Sequence, residues 1–398
     1  MDFELNEEQK LLADSVRKYL ASSYDFEARK KTIASPTGFS QPAWTMLSDM
    51  GLTAIPFAPS AGGFGGGAVD LMAAMEAFGE ALVVEPLLDH IALASRLIAH
   101  VGTPAQQAQL LPGLIDGSRK ATFAYLERGR RYALDAATTT AARTAQGWIL
   151  SGEKIVATGA PLADLFVVSA KTAGGTGLFV IDNKSPGVRV NAYRTVDGQR
   201  AGDVTFSGVA LNPDAMLGAG LGNEGNSLPA IEEAIDFATA LLCSEAVGAM
   251  KYACDATLEY LKTRKQFGAP IGAFQALQHR MVDMFMAAEQ SRSMAMMVAC
   301  KVDAAATSND SAAVNARKKA VSSAKVFIAD AARLVSQESV QLHGGMGMTE
   351  EMKISHTFRR LTVLASALAM PTITWRATRR SLHDHLRPLR HRQRPGGL

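Results

Sequence analysis

The hydrophobic pattern of this chain changes period twice, near residue 121 and again near residue 227, and those two changes constrain its fold more than any other feature. Before the first change, apolar residues recur at helical spacing. Leu11, Leu12, Val16, Tyr19 and Leu20 follow Asn6, whose side chain suits a helix N-cap, with Glu7 and Glu8 in the first turn, where the helix dipole favours acids. Further helical stretches are expected over 41–50, 68–81 and 87–100. Between them, Gly62-Gly63-Phe64-Gly65-Gly66-Gly67 reads as a loop, because no strand precedes it and no Lys-Ser or Lys-Thr follows, as a phosphate loop would need.

After residue 121 the chain breaks into short β-rich runs: Trp148-Ile149-Leu150-Ser151-Gly152, Leu165-Phe166-Val167-Val168, Gly177-Leu178-Phe179-Val180-Ile181 and Val204-Thr205-Phe206. Turn pairs such as Gly174-Gly175, Pro186-Gly187 and Asp197-Gly198 separate them. From about Ser227 helices are expected again, over 229–263, 275–304, 311–341 and 355–385. Thr307-Ser308-Asn309-Asp310 marks a polar turn, and Pro371 should break or kink the last helix. The expected fold class is α+β and multidomain: an N-terminal helical domain over 1–120, a middle β-domain over 121–226, a C-terminal four-helix bundle over 227–385 and a basic tail over 386–398.

A net charge of +3 over 398 residues is too small to argue for nucleic acid. Part of it sits in the tail, at Arg387, Arg390, Arg392 and Arg394, which reads as a frayed end. Cys243, Cys254 and Cys300 lack metal-ligand spacing and suggest buried thiols in a reducing compartment. His383-Asp384-His385 reads as surface, and no metal site is expected. With no apolar signal region and no uninterrupted apolar run of about 18 residues, the chain is expected to be cytoplasmic and off the membrane.

Two glycine-marked segments in the second helical part carry chemistry. One is Arg264-Lys265-Gln266-Phe267-Gly268-Ala269-Pro270-Ile271-Gly272-Ala273-Phe274-Gln275; the other is Gln341-Leu342-His343-Gly344-Gly345-Met346-Gly347. An arginine fork suits a pyrophosphate, and glycines past a helix end let backbone approach a ligand. Alone, the first is compatible with a helix end carrying a surface charge and the second with an ordinary C-cap. Together, in this order and in a helix–β–helix layout, they resemble the flavin-binding signatures of the acyl-CoA dehydrogenase family over nearly the whole chain. The resemblance implies FAD held partly across a subunit interface by Arg264, Gln266, Phe267, Ile271, Phe274, Gln275, Gln341, Gly344 and Gly345, with Thr158 as a further contact. It also implies an acyl-CoA substrate, a homo- or hetero-oligomer and electron transfer to an electron-transfer flavoprotein. The stretch 341–360, with Tyr24-Asp25-Phe26-Glu27-Ala28-Arg29-Lys30-Lys31, is similar to the small subunit of pimeloyl-CoA dehydrogenase. That similarity implies a large catalytic subunit of the same family as partner, and dicarboxylyl- or other bulky acyl-CoA substrates.

Dehydrogenating a thioester at Cα–Cβ needs a carboxylate to take the α-proton. By resemblance the family's Glu belongs at one of two positions. One lies nine residues after Arg359 and is Leu368; the other lies 26 residues before Arg264 and is Ala238, with Thr239 standing where many relatives have an Arg. Asp236 is the nearest acid, but two residues are about 200° around a helix, so it should face away from the Ala238 side. Glu232 and Glu245 read as a solvated face or structural pairs, and His343 as a loop histidine held by backbone. The family's Thr-Glu-Pro-Gly segment is matched by Leu126-Glu127-Arg128-Gly129, and its Thr-Asn-Gly by Ala157-Thr158-Gly159. No residue is therefore assigned as the catalytic base, with Asp236 as the one weak candidate. Three readings stay open: an FAD-binding subunit whose partner supplies the Glu, a self-sufficient homomeric dehydrogenase with a non-standard base, and a structural or interaction homologue. The retained Arg264, Phe267, Gln341, Gly344 and Gly345 speak against the third and Leu368 and Ala238 against the second, which favours the first.

Overall fold

A computed structural model describes residues 5–134, 138–221, 226–308 and 310–368. It divides into two compact units, Met1–Ala249 and Met250–Leu398, with the division falling inside one long helix.

The first unit opens with α1 (Glu7–Ser23), started by a reciprocal capping box: Gln9 N–H donates to Asn6 Oδ1 at 2.8 Å, and Asn6 N–H donates to Gln9 Oε1 at 2.9 Å. There follow α2 (Phe26–Ala34), α3 (Gln41–Asp49), α4 (Ala68–Ala81), a π-helical stretch Asp89–Ala94 running into α5 (Ser95–Val101), and α6 (Pro104–Ile115). The Tyr24–Lys31 segment is taken up by packing. Tyr24 hydroxyl donates to Glu85 at 2.7 Å, and the buried Arg29 donates to Leu82 O at 2.5 Å and to Asp197 O at 2.8 Å. Arg200 reaches Ser35 O at 2.7 Å, so two arginines fasten the loop around 195–200 to the ends of α2 and α4.

Seven strands come next: β1 (Ala121–Ala124), β2 (Thr140–Thr144), β3 (Gly147–Thr158), β4 (Leu165–Thr172), β5 (Gly175–Asp182), β6 (Val188–Arg194) and β7 (Arg200–Leu211). They form one sheet in the order β1-β4-β2-β3-β7-β6, with β5 on β4. Its core includes Trp148, Leu150, Phe166, Val168, Phe179, Val204 and Phe206. The four apolar runs of the sequence lie in β3, β4, β5 and β7. The other three strands go beyond those runs: β2 and β6 bury almost nothing and β1 is only four residues long, so hydrophobic pattern could not reveal them.

The long helix α7 (Leu228–Thr263) belongs to both units. Its first part crosses α4 with backbone against backbone. A Cβ on Gly79 would lie 1.9 Å from Glu245 O, and one on Gly248 would lie 1.8 Å from Glu76 O, so neither position admits a side chain.

In the second unit α7 ends in a hairpin of β8 (Lys265–Gln266) and β9 (Ala269–Pro270), followed by α8 (Gln275–Ala306), α9 (Ser311–His343) and α10 (Lys353–Ser366). The last described helix, α10, ends at Ser366, where Ala367 turns extended and Leu368 left-handed (φ 63°); the expectation of a helix over 369–385 lies outside the described residues. The expectations for Pro371, His383-Asp384-His385 and the tail lie outside the described residues. Among the described residues no helix is long and apolar enough to cross a membrane, and no cluster of His, Cys, Asp and Glu is able to hold a metal ion.

Candidate functional site

The first segment begins where α7 runs out. Arg264 N–H still donates to Tyr260 O at 2.8 Å, then the chain doubles back so that Ile271 N–H donates to Arg264 O at 2.8 Å. The two-residue turn between β8 and β9 is Phe267-Gly268, at φ 55° and 80°. A turn with both central residues left-handed favours Asn-Gly; an aromatic there is strained. Phe267 nonetheless holds its ring 91 % exposed, edge-on to Phe274 at 6.1 Å. Arg264, Gln266, Phe274 and Gln275 are exposed and Ile271 is half-buried.

The second segment ends α9. Gly344 takes φ 60°, ψ −145° and donates its N–H to Gln341 O, and a 3₁₀ turn runs over Gly344–Met348. Gln341, Gly344 and Gly345 are exposed, and a Cβ built on either glycine meets nothing within 4 Å. The structure brings the two segments together: the Tyr260 ring, one turn before Arg264, stacks on the His343 ring with centroids 4.4 Å apart. His343 is buried with Nδ1 2.8 Å from Ser339 O, so it is held by backbone as expected, but as the last residue of α9 rather than in a loop. Burial holds its pKa below the usual histidine value.

Thr158 lies in the first unit, with neighbours of its own. It ends β3, half-buried, and its carbonyl accepts from the Thr122 hydroxyl at 2.6 Å. Two residues earlier the β3–β7 register slips between Lys154 and Ala157, and Val156 bulges out at φ 52°. Its N–H donates to Asp203 Oδ1 at 3.0 Å, and that oxygen also accepts from the Tyr193 hydroxyl at 2.8 Å. A β-branched residue held in this region is a strained feature of the kind that collects at functional sites.

Beside the bulge, Ile155 N–H donates to Leu126 O at 2.8 Å, and the next residue, Glu127, anchors the loop. Its carboxylate meets Lys154 Nζ at 2.7 Å and accepts from the amides of Thr138 and Thr139. Lys154 also donates to Ser169 Oγ at 3.1 Å, and both side chains are buried. Burial alone would raise Glu127, but Lys154 and the two amides outweigh it and bring its pKa down to about 2. Burial pulls Lys154 to about 8, which keeps both partners charged at neutral pH.

On α7, Ala238 has no exposed surface, while Asp236 and Glu232 are half-buried and Glu245 is buried rather than on a solvated face. Sequence reasoning missed Glu233. It meets Arg96 at 2.6 Å and His100 at 3.3 Å, and the Arg96 guanidinium lies 3.8 Å over the Phe237 ring. Burial opposes ionisation of Glu233, but His100 and Arg96 hold its pKa down at about 2. An acid fixed in that way is a structural partner and no proton acceptor at neutral pH. The second family position, Leu368, is half-buried just past α10. Cys243 and Cys254 are buried thiols outside any disulfide, Cys300 is half-buried rather than buried as expected, and burial followed by the Asp255 and Glu289 charges pushes Cys254 up to about 12, which makes it unreactive.

Three consecutive parts of the chain match models of one family: acyl-CoA dehydrogenase, N-terminal domain, over residues 6–118; middle domain over 122–209; and C-terminal domain over 226–367. A relative from Bacillus subtilis, the probable acyl-CoA dehydrogenase YngJ, is 25 % identical over 370 residues, 90 % of this chain and 93 % of its own length. The structure of the ChsE4–ChsE5 complex from Mycobacterium tuberculosis superposes with a TM-score of 0.85 at 25 % identity, covering all of both chains. PigA with FAD and proline gives a TM-score of 0.86 at 24 % identity, over 96 % of this chain and 99 % of that one.

Proposed function

Because the chain belongs to the acyl-CoA dehydrogenase family, we propose that it is an FAD-binding subunit of a heteromeric dehydrogenase that oxidises acyl-CoA thioesters at Cα–Cβ, with the base supplied by a partner chain of the same family. The observation that carries the reading is at the two base positions. Leu368 is apolar, and Ala238 has neither a carboxylate nor any surface through which to reach a ligand. Glu233, an acid on the same helix, is committed to Arg96.

The second unit fits FAD. Arg264 offers an exposed guanidinium, Phe267 and Phe274 offer exposed rings, and Gly344 and Gly345 leave open space where a Cβ would stand. In this reading Arg264 binds the pyrophosphate, while Gln266, Ile271, Gln275, Gln341, Gly344 and Gly345 complete the dinucleotide site. Thr158, half-buried at the end of β3, is proposed as a further contact to the cofactor. FAD, when bound, accepts the β-hydrogen as hydride. In this reading the chain holds the dinucleotide and moves no proton itself. Val282, Phe285 and Met286 on α8 expose 54 %, 58 % and 48 % of their surface, an apolar face that supports a chain–chain interface. ChsE4–ChsE5, similar throughout, is itself a complex. A dicarboxylyl or other bulky acyl group rests on the resemblance of 341–360 alone, since Tyr24 and Arg29 are taken up by packing. An electron-transfer flavoprotein as acceptor and a cytoplasmic setting complete the proposal.

The test is to purify the chain alone and then with a co-expressed large subunit. Flavin absorbance without turnover of acyl-CoA and an acceptor dye is expected for the lone chain, and turnover for the pair. Turnover by the lone chain overturns the proposal. Phe267 gives a second prediction: Phe267→Asn relieves the strained turn and raises the stability of the FAD-free protein by roughly 1 kcal/mol, while weakening FAD binding. Urea unfolding and flavin titration read the two effects separately, and equal or tighter FAD binding removes Phe267 from the site.

A further inference from the structure

The two cofactor segments leave different helices, and among the described residues no hydrogen bond joins 264–274 to 344–349. What joins them lies one step back, between α7 and α9. The Tyr260 and His343 rings stack with planes 25° apart, and the Tyr260 hydroxyl reaches His343 O at 3.4 Å. One turn earlier the hydroxyls of Thr257 and Ser339 are 3.2 Å apart. A carbonyl only accepts, so the contact to Ser339 O places the proton of neutral His343 on Nδ1 and fixes the ring plane. Gly347 closes back on the end of α9, since a Cβ there would lie 2.7 Å from Val340 O and 3.0 Å from His343 Cβ. Each ring is thus tied directly to its own segment: Tyr260 O accepts the Arg264 N–H, and His343 is followed at once by Gly344.

We propose that the Tyr260–His343 stack is a positioning pair, setting the spacing between the Arg264 guanidinium and the Gly344–Gly345 backbone so that one ligand engages both. The inference rests on the FAD reading for its ligand but on geometry alone for the coupling of the two segments. An aromatic pair suits the task because each ring moves about only two torsions and the contact is broad. Neither ring touches the cofactor; both act through the segments that do.

The experiment uses the full chain and four variants. Tyr260→Phe and His343→Phe keep a ring, whereas Tyr260→Leu and His343→Leu keep bulk and remove the stack. FAD affinity is followed by flavin fluorescence, and amide hydrogen exchange is followed in FAD-free protein over 264–271 and 344–348. Both Leu variants are expected to weaken FAD binding roughly tenfold, the upper end of what an aromatic pair contributes, and the Phe variants to stay near wild type. Either Leu variant should speed exchange in both segments, and the double Leu variant should add little to each single. Exchange that quickens only in the segment carrying the substitution, or Leu variants that bind FAD like wild type, overturns the proposal. Absence of FAD binding by the wild-type chain refutes the cofactor reading instead, and the exchange data then decide the coupling separately.

Discussion

Lys154→Met lowers the stability of the chain by about 3–5 kcal/mol, because it strands the Glu127 carboxylate inside the β-domain. Among the described residues Glu127 then keeps the amides of Thr138 and Thr139, which share its charge but do not neutralise it. Adding Glu127→Leu removes the stranded charge, so the double variant should regain most of the loss. Urea unfolding at neutral pH measures both, and a single variant costing under about 1 kcal/mol would show that the site relaxes or admits water. The pair also predicts an acid response. Glu127 has a folded pKa of about 2 against an ordinary 4.5, so its contribution is fully present above about pH 4.5 and is lost as pH falls towards 2. The double variant should lack that component of acid sensitivity. The loss would reach the site, since Leu126, just before Glu127 in the chain, carries the carbonyl that holds Ile155 beside the Val156 bulge.

How much of this was legible in the sequence depended on whether the cause was local. The cap that starts α1 and the patterns of α7, α8 and α9 are local, so the start of α1 and the extents of the other three could be read to within a few residues. The order helix, β, helix followed from the same local patterns. The contacts that shape the candidate site are not local. Glu127 finds Lys154 27 residues away, and Arg96 finds Glu233 137 residues away; neither sequence neighbourhood signals a partner. Val156 was hidden for a different reason: valine is a strand former, and only the register slip against β7 turns it into a left-handed outlier. Of the residues expected to hold a cofactor, those around Arg264 and Gln341 share one end of the second unit because Tyr260 and His343 meet, and that meeting too joins distant positions.

Ala238→Glu, which restores a carboxylate at one family position, is expected to destabilise the lone chain by about 3–5 kcal/mol and to give no turnover. Ala238 has no exposed surface, so the new side chain must displace packed neighbours or ionise without solvent. The helix has little freedom to turn and make room. Ten residues on, Gly248 sits against Glu76 O, and Gly79 sits against Glu245 O, so α7 and α4 touch through backbone. On the other side, Phe237 is covered by Arg96, which Glu233 holds at 2.6 Å. A buried, unpartnered carboxylate responds by raising its pKa, so the variant should lose stability as pH rises through neutrality, opposite to the Glu127 component. Gly248→Ala is the companion: it tests whether the helix crossing is as tight as the geometry demands, and should cost several kcal/mol with no change of charge. Thermal unfolding of both variants across pH, with dye-linked acyl-CoA turnover, separates these effects. A stable, active Ala238→Glu chain would mean that α7 opens onto a substrate site after all, and that the base-less subunit is one substitution from a complete enzyme.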